Sequence, residues 1–276
     1  MAKKVDRHQS SPRVICVTSG KGGVGKTNIT ANLAYALAAA GQRVLVLDAD
    51  LNLANIDVLL GLTPRYNLHH VFTGEKTLPE VMIPGPGGIK ILPGASGIME
   101  LAALNEEQRL YFLTEMTALE DKIDVMLIDT GAGINDNVIY FNLAAQERIV
   151  VLTPEPTSLT DAYALIKVLS TRHNVKRFKI IINMALSKSE AMDVFRQLYK
   201  VCDQFLETLS LDFIGHIPYD KLLTVAVRGQ RLVNEKFPDA EASVMLRQAA
   251  AVLLSGGSEQ VTDGNIKFFW NRVLEC

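Results

Sequence analysis

The sequence predicts an α/β fold in which a mostly parallel, twisted sheet carries helices on both faces. Short β-branched runs alternate with helical patterns along the chain, and this alternation favours a parallel sheet. Most of the runs are almost wholly apolar, as in strands buried on both faces. The chain has 276 residues, of which 48% are hydrophobic. We therefore expect one large domain, at residues 13–254.

Seven apolar runs are predicted strands, and helical patterns fill the intervals. Asn105 followed by Gln108 resembles a capping box, which predicts the start of a helix. Segments 61–88 and 93–98 contain many Gly and Pro residues and are predicted surface loops. The strands are Val14–Thr18, Arg43–Asp48, Ile89–Leu92, Asp124–Asp129, Arg148–Leu152, Lys179–Asn183 and Phe213–Ile217. The helices are residues 26–40, 105–120, 136–145, 158–172, 188–207, 220–227 and 239–254.

The two ends of the chain have a different composition from the domain. Residues 1–12 are polar and lack an apolar core, so we expect a flexible extension and not a signal peptide. Residues 255–264 include Ser-Gly-Gly-Ser, which predicts a flexible linker. No apolar run in the sequence reaches the roughly 18 residues that a membrane-spanning helix requires.

Charge and cysteine content narrow the class of protein. The net charge is −2 and the pI is about 6.2, so the chain lacks the basic footprint of a nucleic-acid-binding protein. We expect no strong direct binding to nucleic acid. The cysteines at 16, 202 and 276 are odd in number and lack metal-ligand spacing. They indicate reduced thiols in the cytoplasm.

Residues 20–27 form the motif that carries most of the chemistry. They read Gly-Lys-Gly-Gly-Val-Gly-Lys-Thr and fit the phosphate-loop pattern G-x-x-x-x-G-K-[ST] between a strand and a helix. Lys26 is expected to reach the β- and γ-phosphates, and the Thr27 hydroxyl to ligate Mg²⁺. A plain glycine-rich turn is disfavoured because every fixed position and both flanks are present. The predicted nucleotide contacts are Gly20, Lys21, Gly22, Gly23, Val24, Gly25, Lys26, Thr27 and Asn28.

Three aspartates are candidates for roles in Mg²⁺ binding or in activating the attacking water. Asp129 ends the apolar strand Val125–Ile128, which is the Walker B form and predicts a position near Mg²⁺. Asp48 and Asp50 end another strand, and their spacing of two places both side chains on one side. A turn or cap role for Asp129 and a solvated strand-end pair at 48 and 50 remain open alternatives. The glycines of 131–133 are a candidate switch loop.

A second lysine, Lys21, identifies the loop more closely. The loop with this lysine resembles the deviant Walker A motif of the MinD/ParA family of P-loop ATPases. Three further segments match the same family: Asp48-Ala-Asp50, Asp129-Thr-Gly-Ala-Gly133 and Thr153-Pro-Glu155. The resemblance covers residues 13–255, including Asn183 and Gly215–Pro218. Within that family the segments 48–61 and 226–233 are most similar to flagellar-number regulators of FlhG/FleN type.

This resemblance implies roles for individual residues. Lys21 is expected to reach across a homodimer interface to the partner's nucleotide, so that two ATP molecules lie between two subunits. Asp50 is expected to activate the attacking water, with Lys21 and Lys26 completing the catalytic set. Asp48 and Asp129 are expected to act around Mg²⁺. Asn183 and Pro218 are expected to contact adenine. Asn52 departs from the family by replacing a usual glycine in the first switch region.

The last twelve residues contain the only tryptophan of the chain. On a helix, one face collects apolar side chains and the other collects polar ones, which suits the bilayer interface. MinD-like proteins carry a membrane-targeting helix at this position, whereas docking on the chain's own domain is the alternative. The predicted membrane contacts are Ile266, Phe269, Trp270, Val273 and Leu274.

The sequence leads to the hypothesis of an ATP-dependent dimeric switch. The resemblance implies a cytoplasmic ATPase that associates reversibly with the inner face of the membrane and controls flagellar number or placement. It implies an FlhF-like GTPase, a flagellar basal-body or C-ring component and a FleQ-type transcriptional activator as partners. The alternatives are a ParA-type DNA-partitioning ATPase, a septum-site MinD, a protein acting by sequestering a transcription factor, and a nitrogenase-like electron carrier. The last lacks closely placed cluster cysteines.

Overall fold

A computed structural model describes residues 12–50, 55–94, 105–206 and 209–256, apart from the side chain of Arg109. Several predictions concern positions outside these residues. They are the extension at 1–11, Asn52, the loop at 95–98, the linker beyond Gly256 and the five membrane contacts at 266, 269, 270, 273 and 274.

An eight-stranded sheet organises the described part of the chain. Its strands are β1 (Arg13–Ser19), β2 (Val44–Ala49), β3 (Ile83–Pro84), β4 (Lys90–Leu92), β5 (Val125–Ala132), β6 (Glu147–Leu152), β7 (Arg177–Ala185) and β8 (Ser210–Pro218). They lie in the order β3-β4-β2-β5-β1-β6-β7-β8. Only the two-residue β3 is antiparallel to its neighbour. The prediction of a mostly parallel sheet is confirmed.

Helices connect the strands and cover both faces of the sheet. They are α1 (Lys26–Ala39), α2 (Ile56–Leu60), α3 (Leu68–Phe72), α4 (Leu78–Val81), α5 (Glu106–Thr117), α6 (Asp136–Ala144), α7 (Pro156–His173), α8 (Lys188–Phe205), α9 (Lys221–Arg228), α10 (Val233–Lys236) and α11 (Glu241–Ser255). Every predicted helix is present within a few residues of its expected bounds. The capping box at Asn105 and Gln108 is also confirmed.

The buried side chains form layers above and below the sheet. On one face Leu37 of α1 and Leu246 of α11 pack against strand residues such as Val46. On the other face Phe112 of α5 packs beside β2 and β5, and Leu198 of α8 beside β7. Removing such side chains from water is the main stabilising contribution to this fold.

The prediction of a surface loop at 61–88 is wrong. This segment contains α3, α4 and β3, and its apolar side chains Leu68, Phe72 and Leu78 are fully or almost fully buried. Phe72 meets Phe112 edge to face, with ring centroids 4.9 Å apart. Helices of four or five residues lack the periodic signal of longer ones, so Gly and Pro dominated the sequence pattern.

The position of β1 determines where a ligand can bind. Its neighbours are β5 on one side and β6 on the other, so the connections run in opposite directions from this strand. In open α/β sheets the crevice at such a point, outside the carboxyl ends of the strands, is the binding site. Residues 20–27 begin there. Within the described residues, no helix is long and apolar enough to span a bilayer.

Candidate nucleotide site

The loop between β1 and α1 has a backbone that only glycine accommodates easily. Gly23 and Gly25 have φ angles of 78° and 85°, in the left-handed region that side chains disfavour. A Cβ on Gly25 would lie 2.4 Å from Nδ2 of Asn183, and one on Gly20 only 2.1 Å from the carbonyl oxygen of Asp161. Close packing therefore requires glycine at both ends of the loop, as the phosphate-loop motif predicts.

Asn183 holds the middle of the loop. Its side-chain amide donates to the carbonyl oxygen of Val24 at 2.7 Å, and the residue is buried at the carboxyl end of β7. Next to it, Met184 and Tyr219 are exposed to 41% and 63% and lie beside the strand end at Pro218. Exposed apolar surface at this place suits a flat base, which is consistent with the adenine contact predicted for Asn183 and Pro218.

Lys26 and Asp129 form a buried ion pair beneath the loop. The Lys26 Nζ lies 3.8 Å from Oδ1 of Asp129, and the exposed fractions of their side chains are 9% and 0%. The hydroxyl of Thr30 donates to the same Oδ1 at 3.2 Å. These contacts hold Lys26 at the amino terminus of α1, where the helix dipole and backbone N–H groups favour phosphate.

The electrostatics at Asp129 fit a divalent cation. Its pKa is raised, mainly by burial, while the charge of Lys26 and the hydroxyls of Thr27 and Thr30 act to lower it. The second oxygen, Oδ2, is buried without a hydrogen-bond partner in this structure. A buried carboxylate oxygen without a hydrogen bond destabilises the folded protein. Mg²⁺ is bound in nucleotide sites by one or two carboxylates together with phosphates. Asp129 and Thr27 therefore fit the predicted magnesium site.

Asp48 and Asp50 do not occupy equivalent positions. The Asp48 carboxylate accepts backbone N–H groups of Asp50 at 3.2 Å, Asn55 at 2.9 Å and Ile56 at 3.1 Å, so it caps the start of α2. Burial is the largest cause that raises the pKa of Asp48 to about 6. Asp50 is half-buried and lies beside Gly131, where an added Cβ would be 3.4 Å from Oδ1 of Asp50.

Lys21 lies on the exposed side of the loop. Its Nζ contacts Oε2 of Glu155 at 2.5 Å and donates to the Thr157 hydroxyl at 2.8 Å. Both partners are at the start of α7, beyond the carboxyl end of β6. The two lysines of the motif therefore point to different carboxylates, and Lys21 is not part of the buried pair.

Comparison with known proteins places this site in a family. Residues 15–233 match the CobQ/CobB/MinD/ParA nucleotide binding domain, which is most of the chain. The chain belongs to this family. It is 46% identical to the antiactivator FleN of Pseudomonas aeruginosa, over 95% of the chain and 94% of FleN. It is 34% identical to the flagellum site-determining protein YlxH of Helicobacter pylori, over 97% and 92%.

A solved structure of the MinD/ParA family extends the comparison to ligands. The septum site-determining protein MinD of Pyrococcus horikoshii, complexed with Mg-ADP, superposes with a TM-score of 0.68 and 26% identity. It covers 89% of this chain, and 98% of that protein is covered. The chain is thus an ATPase of the MinD/ParA family that uses ATP and Mg²⁺. The predictions of family, fold, activity and cofactors are confirmed.

The geometry divides the work of this ATPase among the described side chains. Gly20–Gly25 and the start of α1 would present backbone N–H groups to the phosphates, and Lys26 would neutralise phosphate charge. Thr27 and Asp129 would hold Mg²⁺, which would supply positive charge to the reacting phosphates. The Asn28 side chain accepts a hydrogen bond at its Oδ1 from Nδ2 of Asn32 at 3.0 Å.

The structure also shows residues that the sequence analysis did not assign. Thr30 donates to Asp129, and it follows Lys26 by one helical turn, a spacing that was readable in the sequence. Glu155 and Thr157 accept hydrogen bonds from Lys21. Glu155 lies in a segment that resembles the family, but the sequence analysis assigned it no role. Met184 has φ of 58°, and its Cε lies 3.7 Å from where a Cβ of Gly25 would be. Only the tertiary structure brings Met184 to the loop.

Proposed function

We propose that this ATPase is a switch that dimerises with ATP, binds the membrane through its C-terminal segment and regulates the number or placement of flagella. The similar proteins support the biological setting, because one is named for antiactivation and one for determining the flagellum site. Their alignment over more than nine-tenths of both chains makes a shared role reasonable. In this proposal ATP hydrolysis sets how long the dimeric state lasts.

The position of Lys21 is the observation that carries the dimer proposal. Its Nζ contacts Glu155 and Thr157 of its own chain, while Lys26 alone occupies the buried side of the loop. Lys21 is therefore at the exposed carboxyl edge of the sheet, where a second subunit can approach. In the dimer, Lys21 exchanges these contacts for phosphate oxygens of the partner's nucleotide.

Asp50 is the proposed residue for the attacking water. Its half-buried carboxylate lies beside Gly131, next to the end of β5 that carries Asp129. Accepting a proton from water, or orienting it, requires a carboxylate within hydrogen-bond reach of that water. Asp48 accepts the backbone N–H of Asp50 and so holds the backbone at that residue. We also propose that Asp48 acts around Mg²⁺.

The membrane step depends on residues 265–276. The side-chain charges of residues 263–276 cancel, with Lys267 and Arg272 against Asp263 and Glu275, so insertion is mainly hydrophobic. One short amphipathic segment binds weakly, but two in a dimer gain from their effective concentration. Membrane residence thereby follows ATP-driven pairing, and hydrolysis returns the protein to the cytoplasm.

Partners of three kinds fit this cycle. They are an FlhF-like GTPase, a component of the flagellar basal body or C-ring, and a FleQ-type transcriptional activator. The name of the antiactivator relative supports the last of these. A pull-down of each candidate with ATP-bound and ADP-bound protein should show a difference between the two nucleotide states.

Liposome co-sedimentation tests the membrane switch. The full chain should pellet with vesicles in ATP and much less in ADP, and a chain truncated after Gly264 should pellet in neither. Trp270→Glu should abolish pelleting, whereas the matched change Asn271→Glu on the opposite helical face should reduce it less. Equal pelleting of all variants in both nucleotides would refute the proposal. Salt-sensitive, ATP-dependent binding to random DNA would instead support a ParA-type role.

A further inference from the structure

The turn at 229–236 contacts two helices of the nucleotide site although it lies apart from the phosphate loop. It follows α9, includes α10 and overlaps the segment 226–233 that resembles flagellar regulators. Gln230 has a φ of 51°, in the left-handed region that non-glycine residues seldom adopt. Such a backbone persists only where its surroundings hold it, and it often marks a functional position.

The side chain of Gln230 fits the carboxyl end of α2. Its Nε2 donates to the carbonyl oxygen of Val58 at 2.9 Å. Gly61 ends α2 with a φ of 63°, and a Cβ added there would lie 3.2 Å from Oε1 of Gln230. A glycine at 61 therefore leaves room for this glutamine, and the two left-handed residues form one interlocking contact.

The amino end of α2 is held independently by the strand that carries the aspartates. Asp48 accepts the N–H groups of Asn55 and Ile56. A helix of five residues does not persist by itself in water, so contacts with its surroundings set the position of α2. Asp48 also accepts the N–H group of Asp50, so its carboxylate joins Asp50 to a helix whose other end is held by Gln230.

The turn itself is fastened to α1. Asn234 is buried, its N–H donates to Oδ1 of Asn32 at 3.2 Å, and its Nδ2 donates to the Asn32 carbonyl oxygen at 2.9 Å. Asn32 in turn donates to the carbonyl oxygen of Asn28 at 2.9 Å, one residue after Thr27. Buried hydrogen bonds of this kind fix geometry because leaving any member unpaired is costly.

We propose that Gln230 is a positioning residue for ATP hydrolysis. It ties α2, and through α2 and Asp48 the backbone of Asp50, to the helix that begins at the phosphate loop. The hydrogen bond of Gln230 goes to α2 and not to the phosphate loop, so we expect it to affect the rate of hydrolysis and not the affinity for ATP. This proposal rests on the role proposed for Asp50.

Gln230→Gly separates the side chain from the backbone, because glycine accepts the left-handed conformation without strain. Loss of one neutral hydrogen bond corresponds to a fall in kcat of about 2- to 10-fold, with KM and the dissociation constant for ATP unchanged. Hydrogen exchange of amides 55–62 should become faster. The matched control is Asn174→Gly, since Asn174 is left-handed at φ 56° but ends α7. The Asn174→Gly variant should keep the wild-type kcat and the wild-type rate of hydrogen exchange at amides 55–62.

Gln230→Glu keeps the size of the side chain but removes the N–H donor to Val58. It should lower kcat as Gln230→Gly does. Wild-type kcat in Gln230→Gly, or a rise in KM without a fall in kcat, would overturn the proposal. Asp50→Ala distinguishes the two failures. Full turnover in Asp50→Ala refutes the role of Asp50, whereas an inactive Asp50→Ala beside a normal Gln230→Gly refutes only the positioning role.

Discussion

The two lysines of the phosphate loop lie in opposite environments. The Lys26 side chain is 9% exposed and paired with a fully buried Asp129, whereas the Lys21 side chain is 34% exposed and paired with Glu155, which is 62% exposed. An exposed ion pair contributes about 0–1 kcal/mol to stability, so its partners exchange readily. Breaking a buried pair leaves an uncompensated charge.

The two environments indicate that one motif serves two purposes. The buried side of the loop is fixed by the fold of a single chain and suits a permanent phosphate contact. The exposed side is held only by a weak surface pair and suits a contact that forms and breaks with the nucleotide cycle. The proposals for Lys21 and Lys26 follow from this contrast, and four predictions test it.

Lys26→Met should produce the largest effect. It removes the phosphate contact and leaves Asp129 buried without its cation, so ATP affinity should fall at least about 100-fold and hydrolysis should be lost. Equilibrium nucleotide binding and phosphate release measure this. Lys76→Met, which removes a lysine from the exposed pair with Glu80, is the control and should retain activity. Tight ATP binding by Lys26→Met would break the comparison.

Lys21→Ala should affect turnover and pairing but not the fold. We expect kcat to fall about 100-fold, because a charge supplied to the transition state is lost, while ATP binding by the monomer is retained. The free energy of unfolding should stay within about 1 kcal/mol of wild type. Phosphate release, light scattering with ATP and urea unfolding provide the three readouts. Normal turnover with ATP-dependent dimers would show that Lys21 has no role in trans.

The end of β2, where Asp48 pairs in register with Asp129, should also respond to pH. Burial raises the pKa of Asp48 from 3.8 to about 6, so the stability it contributes is fully present below pH 3.8 and is lost as pH rises through about 6. Between pH 7 and pH 5 the wild type should gain about 1.3 kcal/mol relative to Asp48→Asn. Urea unfolding at both values measures this. Lys21→Ala should keep the gain, and a constant difference between wild type and Asp48→Asn would contradict the assignment.

Asn183→Ala should have a smaller effect on ATP binding than Lys26→Met. It removes the amide that donates to Val24 and leaves a buried carbonyl oxygen unpaired, which costs about 1–3 kcal/mol. ATP affinity should fall a few-fold to about tenfold as the loop loosens, with kcat at saturation little changed. Isothermal titration with ATP and GTP measures the effect and shows whether Asn183 also discriminates between bases. Unchanged affinity for both nucleotides would exclude either role.

Local patterns predicted most of the fold because the signals were long and periodic. The strands at 14–18 and 124–129 and the helix at 26–40 were found near their observed bounds. The prediction for residues 61–88 was wrong because the helices there are too short to show periodicity. The burial of this segment depends on packing against Phe112. The phosphate loop, Lys26 and Asp129 were predictable because their chemistry requires fixed residue types at fixed spacing.

The chemistry was readable from the residues in order: a phosphate loop with two lysines, a carboxylate after an apolar strand, and an α/β order that brings them to one edge of the sheet. The partner of each group depends on the folded structure. It assigned Glu155 and Thr157 to Lys21, three backbone N–H groups to Asp48, and Val58 to Gln230. These partners lie far from one another along the chain, and only the packing of the sheet and its helices brings them within hydrogen-bond distance.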